Sequence, residues 1–381
     1  MPEVFVGKVK TRRADRTDTL KERVGLRIGS LEWSAWSDVS ISLGIEQAAR
    51  SAAVSLSTVD WARMQCVNIV PSKGCEIRLG SDPEPLITGF VDADELSLTD
   101  GSKLKIEVRS KTSDLIDCSA IHPTGIFRGQ KVESIARSLA TFYGIEVVCD
   151  VDTGAPVPLF RCVPTESVFK AIERLCRERG LLLMDDGYGR LVITSISDVP
   201  AAVAFLERGR NIKSMTRRRD VTQRYSEYRI RGQVWDDIGA QAVSLDEWLT
   251  RRRVLVLDSE KGAGQAAVEK RAKWEAATRA GQSIKFEVTV PGWRTDTSNP
   301  KSPIWLPGTI ARLKDGVLGL DDDLLITKVN LTRTSRDGTN ASLSLGYPEG
   351  YQPEPNKFKA GKKSKGSGAD WDLEDGEGDD A

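Results

Sequence analysis

Between Pro164 and Ile193 the chain reads as a short amphipathic helix that breaks at a glycine and runs into a strand, a glycine-rich turn and a second strand. Val168, Ile172, Leu175 and Cys176 recur at the spacing of one buried helical stripe, while Lys170, Arg174, Arg177 and Glu178 fill the wet side. Thr165 is placed to cap the helix start, and Gly180 to let the chain leave it with positive φ. The apolar run Leu181 to Met184 then pairs with Leu191 to Ile193 across Asp185-Asp186-Gly187-Tyr188-Gly189. Nothing in this stretch resembles a catalytic apparatus.

A chain of 381 residues is long enough for two or three domains, each with its own core. Its 55 basic residues balance 55 acidic ones, so no global field favours nucleic acid or an anionic membrane. Cys66, Cys75, Cys118, Cys149, Cys162 and Cys176 form no Cys-x-x-Cys pair, and several fall on apolar phases, which predicts reduced, buried thiols. No hydrophobic run is long enough to span a bilayer, and the N-terminus is too charged for a signal peptide. Synthesis and folding in a cytoplasm are the expectation.

Along the chain, residues 1–23 are basic and poor in apolar anchors, which predicts an extension rather than a core element. From 24 to 119, Val39 to Leu43, Cys75-Ile77-Leu79, Leu86-Ile87 and Leu104-Ile106-Val108 alternate as half-buried strands, with a hairpin turn at Thr99-Asp100-Gly101-Ser102. Short strands punctuated by turns predict a small antiparallel barrel. The stretch 120–198 reads as an α/β insert, because Val132, Ile135, Ala136, Leu139 and Phe142 trace a second helical stripe that stops at Gly144 before the strand Ile145 to Val148. Strand alternation resumes over 199–352 in Tyr228-Ile230-Gly232, in Ile284-Phe286-Val288-Val290, and in a hairpin of Leu325–Arg333 with Ala341–Leu345 through Asp337-Gly338. An alanine-rich helix near 264–281, with Val268, Ala272, Ala276 and Ala280 on one face, suits close packing on a sheet or a neighbouring subunit. Residues 353–381 divide into a lysine block, a glycine-serine hinge and an acidic end, a flexible tail unable to build a core. Two β-rich regions thus bracket the insert, consistent with a diverged duplication.

Catalytic chemistry has little to work with. His122 is the single histidine, so any Ser-His-Asp or Cys-His arrangement would pass through it. Clustered zinc ligands are missing, and Gly187-Tyr188-Gly189 lacks the lysine and helix of a phosphate loop. No catalytic residue, metal or cofactor is therefore assigned. Asp185-Asp186 or Asp321-Asp322-Asp323 could supply the two carboxylates of a glycosidase, yet both clusters read as turns in which aspartate supports the backbone. In the tail, Trp371 flanked by Asp370 and Asp372, with Lys362 and Lys363 upstream, is a candidate partner-binding segment, since a buried aromatic carries much interface energy.

Several strings, taken in order, resemble the baseplate hub proteins of Mu-like contractile-tailed phages, a family that extends to phage late-control proteins and the amino-terminal part of type VI secretion spikes. They are Leu86 to Asp92, Val108 to Ser119, Glu166 to Phe169, Ala171 to Leu183, Arg224 to Tyr228, Trp305 to Gly308 and Leu324 to Leu331, spread from about 24 to 350. The resemblance implies an α+β, mostly β chain: two related antiparallel β-barrels, an α/β insert between them and a flexible C-terminal tail. It further implies a homotrimeric ring of six similar barrels that lets a threefold spike meet a sixfold tail tube. Expected partners are the central spike, the tube or a tube initiator, and the wedge proteins, in the baseplate of a virion assembled in a host bacterium. No nucleic-acid binding and no stable membrane insertion are expected. The chain lacks the long β-helical extension of the type VI spike and any inserted lysozyme domain. Competing readings are a tail-associated glycan hydrolase and a host-glycan-binding adhesin, and the tail from about Pro353 is expected to order against spike or tube.

Overall fold

The computed structural model describes residues 24–352, apart from 30, 35, 46, 58–70, 81–83, 98–102, 180, 197–203, 235–236, 259–264 and 300. Seven strands come first: β1 (Val24–Ile28), β2 (Leu31–Trp33), β3 (Asp38–Gly44), β4 (Ser51–Ser57), β5 (Gly74–Leu79), β6 (Pro85–Ser97) and β7 (Lys103–Ser110). A mixed segment follows: α1 (Ser113–Asp117), β8 (Ile126–Gln130), α2 (Val132–Thr141), β9 (Val147–Cys149), β10 (Val157–Arg161), α3 (Val168–Glu178), β11 (Leu182–Asp185) and β12 (Leu191–Thr194). The last part holds β13 (Ala204–Glu207), β14 (Ser214–Arg219), β15 (Glu227–Val234), β16 (Asp237–Leu245), β17 (Val254–Asp258), α4 (Gln265–Gln282), β18 (Ile284–Pro291), β19 (Ile310–Asp315), β20 (Leu320–Thr334) and β21 (Gly338–Gly346). The chain is thus mostly β.

Alternation decides which face of each strand is buried. In β3, Val39, Ile41 and Leu43 point into the core between the more accessible Ser40 and Ser42, and in β18 Phe286, Val288 and Val290 do the same. Each slip by one residue would turn these side chains to water, so register is strongly specified. The core they build runs through both β-rich segments without interruption, from Val24 and Leu26 to Leu343 and Leu345.

Two separate closed barrels are not what forms. The strands join edge to edge in one 13-stranded sheet, ordered β14-β18-β21-β20-β3-β4-β7-β6-β5-β1-β2, with β19 on the first part of β20 and β13 on β19; among the described residues no sheet closes on itself. The reason is β20, whose 15 residues outreach β19: Ile310–Asp315 covers Leu320–Leu325, and β3 takes the same edge from Lys328 to Arg333. The two β-rich segments nevertheless share one strand order. β3-β4-β7-β6-β5 and β14-β18-β21-β20-β19 have the same antiparallel order, first-second-fifth-fourth-third along the chain, once the excursion from β15 to α4 is set aside. Both fourth-fifth hairpins carry a bulge, at Val91/Ala93 and at Ile326/Lys328. The bulge thus falls at a matching place in each hairpin.

A second core gathers Leu115 to Ile193 around α2 and α3. Val168, Ile172, Leu175 and Cys176 are all buried there, as their spacing requires, and β11 pairs with β12 from Leu182↔Thr194 to Asp185↔Leu191. Three local details differ from expectation. The cap of α3 is Ser167, whose Oγ accepts the Lys170 N–H at 3.4 Å, while Thr165 sits at φ 70° in the turn before it. The α2 stripe ends one turn early, leaving Phe142 exposed. The strand after Gly144 begins at Val147 and lies parallel to β12. Gly180 lies outside the described residues.

The excursion forms its own layer: a three-stranded sheet β16-β15-β17 covered on one face by α4. Val268 and Ala272 contact Ile230 and Ala242, and the small Gly281 lets the turn Pro348–Tyr351 approach so closely that a Cβ there would stand 2.6 Å from the Gly350 nitrogen. The alanine face therefore meets a sheet of its own chain. On the other side of this sheet Val243, Leu245, Val254 and Val256 are exposed.

Candidate functional site

The hairpin between β11 and β12 plugs into the large sheet, and this junction is a buried polar site. Arg50, just ahead of β4, donates its backbone N–H to Asp185 Oδ2 at 2.9 Å and its Nε to Oδ1 at 3.3 Å. Its Nη2 reaches the Asp185 carbonyl at 3.1 Å and its Nη1 the Leu86 carbonyl at 3.0 Å. Thr112 Oγ1 adds a donor to Oδ2 at 3.4 Å. The two side chains are only 10% and 2% exposed, so the pair is desolvated and held by a nearly complete set of hydrogen bonds. Burial pushes the Asp185 carboxyl above its ordinary range, against the opposing pull of Arg50 and of the hydrogen bonds.

The turn fits because two of its residues lack side chains. A Cβ on Gly187 would stand 1.9 Å from the Pro85 carbonyl oxygen, and one on Gly189, at φ 73°, 2.6 Å from that of Thr88. Thr88 Oγ1 donates to the Gly187 carbonyl at 2.8 Å. Asp186 supports the turn as its sequence suggests, accepting the N–H groups of Tyr188 and Arg190 at 2.9 and 3.0 Å. Asp185 does something else: it is the last residue of β11 and ties the α/β segment to the sheet.

The Asp321 to Asp323 cluster is not a turn. All three lie in β20, opposite Lys314, Leu313 and Arg312; Asp321 pairs with Arg312 at 2.8 Å, and Asp322 accepts the Tyr347 hydroxyl at 2.8 Å. The turn precedes them, where Asp315 takes the N–H groups of Val317 and Leu318, each at 2.9 Å. Cross-strand cations let three aspartates sit in a strand, overriding their low strand propensity. His122 is half-buried with its ring 4.3 Å from that of Phe127, and Thr124 Oγ1 lies 3.3 Å from Nδ1. Two clefts, of about 450 and 340 Å³, each present one carboxylate, Asp220 in the first and Glu76 in the second. Among the described residues no cluster of three or more His, Cys, Asp or Glu is placed to hold a metal. Cys75 and Cys176 are buried free thiols, Cys118 and Cys162 partly buried ones. Trp371, Asp370, Asp372, Lys362 and Lys363 lie outside the described residues, as does Cys66.

Sequence reasoning passed over two charged strand edges. β14 ends in the exposed run Arg217-Arg218-Arg219, and the second half of β6 carries Asp92-Ala93-Asp94-Glu95, exposed from Ala93 to Ser97. β14 is the outermost strand of the sheet, and beyond Val91 the edge of β6 that faces away from β7 has no strand beside it among the described residues. The signal was present as a basic triplet and an acidic run, but their relation needs the strand order.

Residues 112–195 match the second domain of the gp44-like baseplate hub proteins, and residues 264–354 the fourth domain of the Mu phage baseplate assembly protein GpP. The baseplate hub protein gp44 of Escherichia phage Mu is 27% identical over 349 residues, 87% of this chain and 89% of that protein. The crystal structure of the 43 kDa tail protein of prophage MuSo2 from Shewanella oneidensis superposes with a TM-score of 0.75 at 28% identity, covering 87% of this chain and all of the other. A tail protein from Neisseria meningitidis MC58 shares the fold, with a TM-score of 0.71 at 23% identity over 87% of this chain and 100% of its own length.

Proposed function

We propose, from its similarity to Mu-like baseplate hub proteins, that this chain is a structural hub of a phage tail baseplate, a homotrimeric ring that adapts a sixfold tail tube to a threefold central spike. A structural baseplate role is what the family supports. The observation that carries the finer reading is the five-strand unit occurring twice in one chain, joined through β20 and β3. Three copies of such a chain offer six similar sheets around one axis, while the chain as a whole keeps threefold symmetry. In this reading the two units are the barrel equivalents, the segment around 120–198 is an insert clamped to the first unit by Arg50 and Asp185, and the charged tail with Trp371 orders against the spike or tube. Wedge proteins contact the rim, and the protein resides in the virion.

The reading is non-enzymatic. Asp185 is buried in its clamp and Asp321 is held by Arg312, which suits neither as a free general acid or base. Light scattering on the purified chain should give three times the 41.8 kDa monomer mass. A peptidoglycan-clearing assay should show no activity in the parent chain and none to lose in Asp185→Asn or Asp321→Asn; clearing abolished by either change would instead establish the hydrolase.

A further inference from the structure

We infer that the ring closes by strand pairing between copies: the second half of β6 in one chain, Ala93 to Ser97, pairs antiparallel with β14 of the next, Thr216 to Asp220. The inference rests on the proposed ring and names the surface that makes it.

Inside the chain, the C-terminal half of the fourth strand of one unit already pairs with the first strand of the other. β20 offers Lys328–Arg333 to β3, with Lys328↔Gly44, Val329↔Leu43, Asn330↔Ser42, Leu331↔Ile41 and Thr332↔Ser40. The repeat supplies the same two partners a second time, with their positions reversed. Aligning the bulges equates Ala93 with Lys328, because each is the first paired residue after its bulge. Following the ladders outward, Glu107 corresponds to Ser344, Ala53 to Glu287, and Ser40 to Thr216. On β6 the edge facing away from β7 is hydrogen-bonded as far as Val91, by Ser72 and Lys73, as β20 is as far as Ile326, by Gly308 and Thr309, and beyond Val91 no strand lies beside it among the described residues. β14 is the equivalent of β3 and, among the described residues, has β18 on one side and no strand on the other.

Transferring the β20–β3 register to these two strands places Ala93 opposite Asp220, Asp94 opposite Arg219, Glu95 opposite Arg218, Leu96 opposite Arg217 and Ser97 opposite Thr216. Nothing about charge entered that transfer, yet it sets two carboxylates directly across from two guanidinium groups. Opposite charges at facing positions stabilise an antiparallel pair, and like charges destabilise it. The edge of β14 shows the need for an anion: Arg218 lies across from Lys285 on β18, relieved within the chain by an exposed contact to Asp220 at 3.6 Å. On the other side Glu95 faces Lys105, whose ammonium is already bonded to Glu107. Two exposed strand edges of opposite charge on one chain form a head-to-tail, heterologous interface, the kind that generates rings when the rotation closes. The same step, taken alternately within and between chains, returns to its start after six units if each turns by one sixth of a circle, which is three copies.

The test uses the full-length chain carrying Asp94→Cys with Arg219→Cys, or Glu95→Cys with Arg218→Cys. Facing pairs alternate between about 5.5 and about 4.5 Å along an antiparallel ladder, so both double variants bring Cα atoms within reach of a disulfide. Mild oxidation should yield reducible species at multiples of the chain mass from at least one double variant, absent from the single variants and from the parent. In parallel, Glu95→Arg should raise the concentration needed for assembly by about tenfold or more, and adding Arg218→Glu should restore it. A trimer by light scattering with no cross-link from either pair, and no effect of charge reversal, would overturn the edge pairing and leave the ring standing. A strict monomer at every concentration with no cross-link would overturn both.

Discussion

At the scale of single residues, the junction at Asp185 shows why a carboxylate that reads as a turn residue can be worth far more. Removing one member of a buried pair strands the other, so Asp185→Ala should destabilise the chain by about 3–5 kcal/mol, measured by urea denaturation. An exposed turn aspartate would cost a small fraction of that. The sequence could not separate Asp185 from Asp186, since adjacent residues of the same type differ here through Arg50, 135 positions away. Two further residues set an alkaline limit. Burial raises the Cys75 thiol from 9.0 to about 12, and burial together with its bond to Asp322 raises the Tyr347 phenol from 10.0 to about 12. Both are favoured in their neutral forms by folding, so the folded state binds more protons than the unfolded one once the unfolded groups start to ionise. Stability should therefore hold below about pH 9 and fall as pH rises toward about 12. Denaturation midpoints across that range should fall less steeply above pH 10 in Tyr347→Phe than in the parent chain.

At the scale of elements, periodicity was a good guide wherever one face is buried by local partners. The α3 stripe, the alternation of β3, β5, β7 and β18, and the β20–β21 hairpin are all legible because each core position recurs at the element's own period. What was not legible depends on neighbours distant in sequence. Asp321 to Asp323 read as a turn until Arg312 and Lys314 are seen beside them, and Phe142 continues a stripe that the fold ends at Thr141. The alanine face of α4 is legible as a close contact but not as to its partner. Because Ala272 lies 1% exposed against Ile230 and Ala242, Ala272→Leu should cost about 1–3 kcal/mol by overpacking, read as a lowered thermal midpoint. A tolerated leucine would mean that the helix rides loosely over its sheet.

For the whole molecule, the sequence shows two β-rich regions around an insert but not that they share one continuous sheet. Barrel closure is a matter of strand order, and a strand long enough to serve two neighbours on one edge, as β20 does, carries no special composition. Overall charge neutrality likewise conceals an acidic edge on the fourth strand of the first unit and a basic edge on the first strand of the second. In the proposed ring the repeat would make sense of both, one chain contributing two similar steps with complementary open ends. That economy has a countable consequence, since a ring of six units needs half as many chains as units. The direct measurement is the copy number of this chain in purified tails, quantified by mass spectrometry against the tube subunit. Three copies per tail are expected; six copies, each giving a single unit to a sixfold ring, would contradict the account.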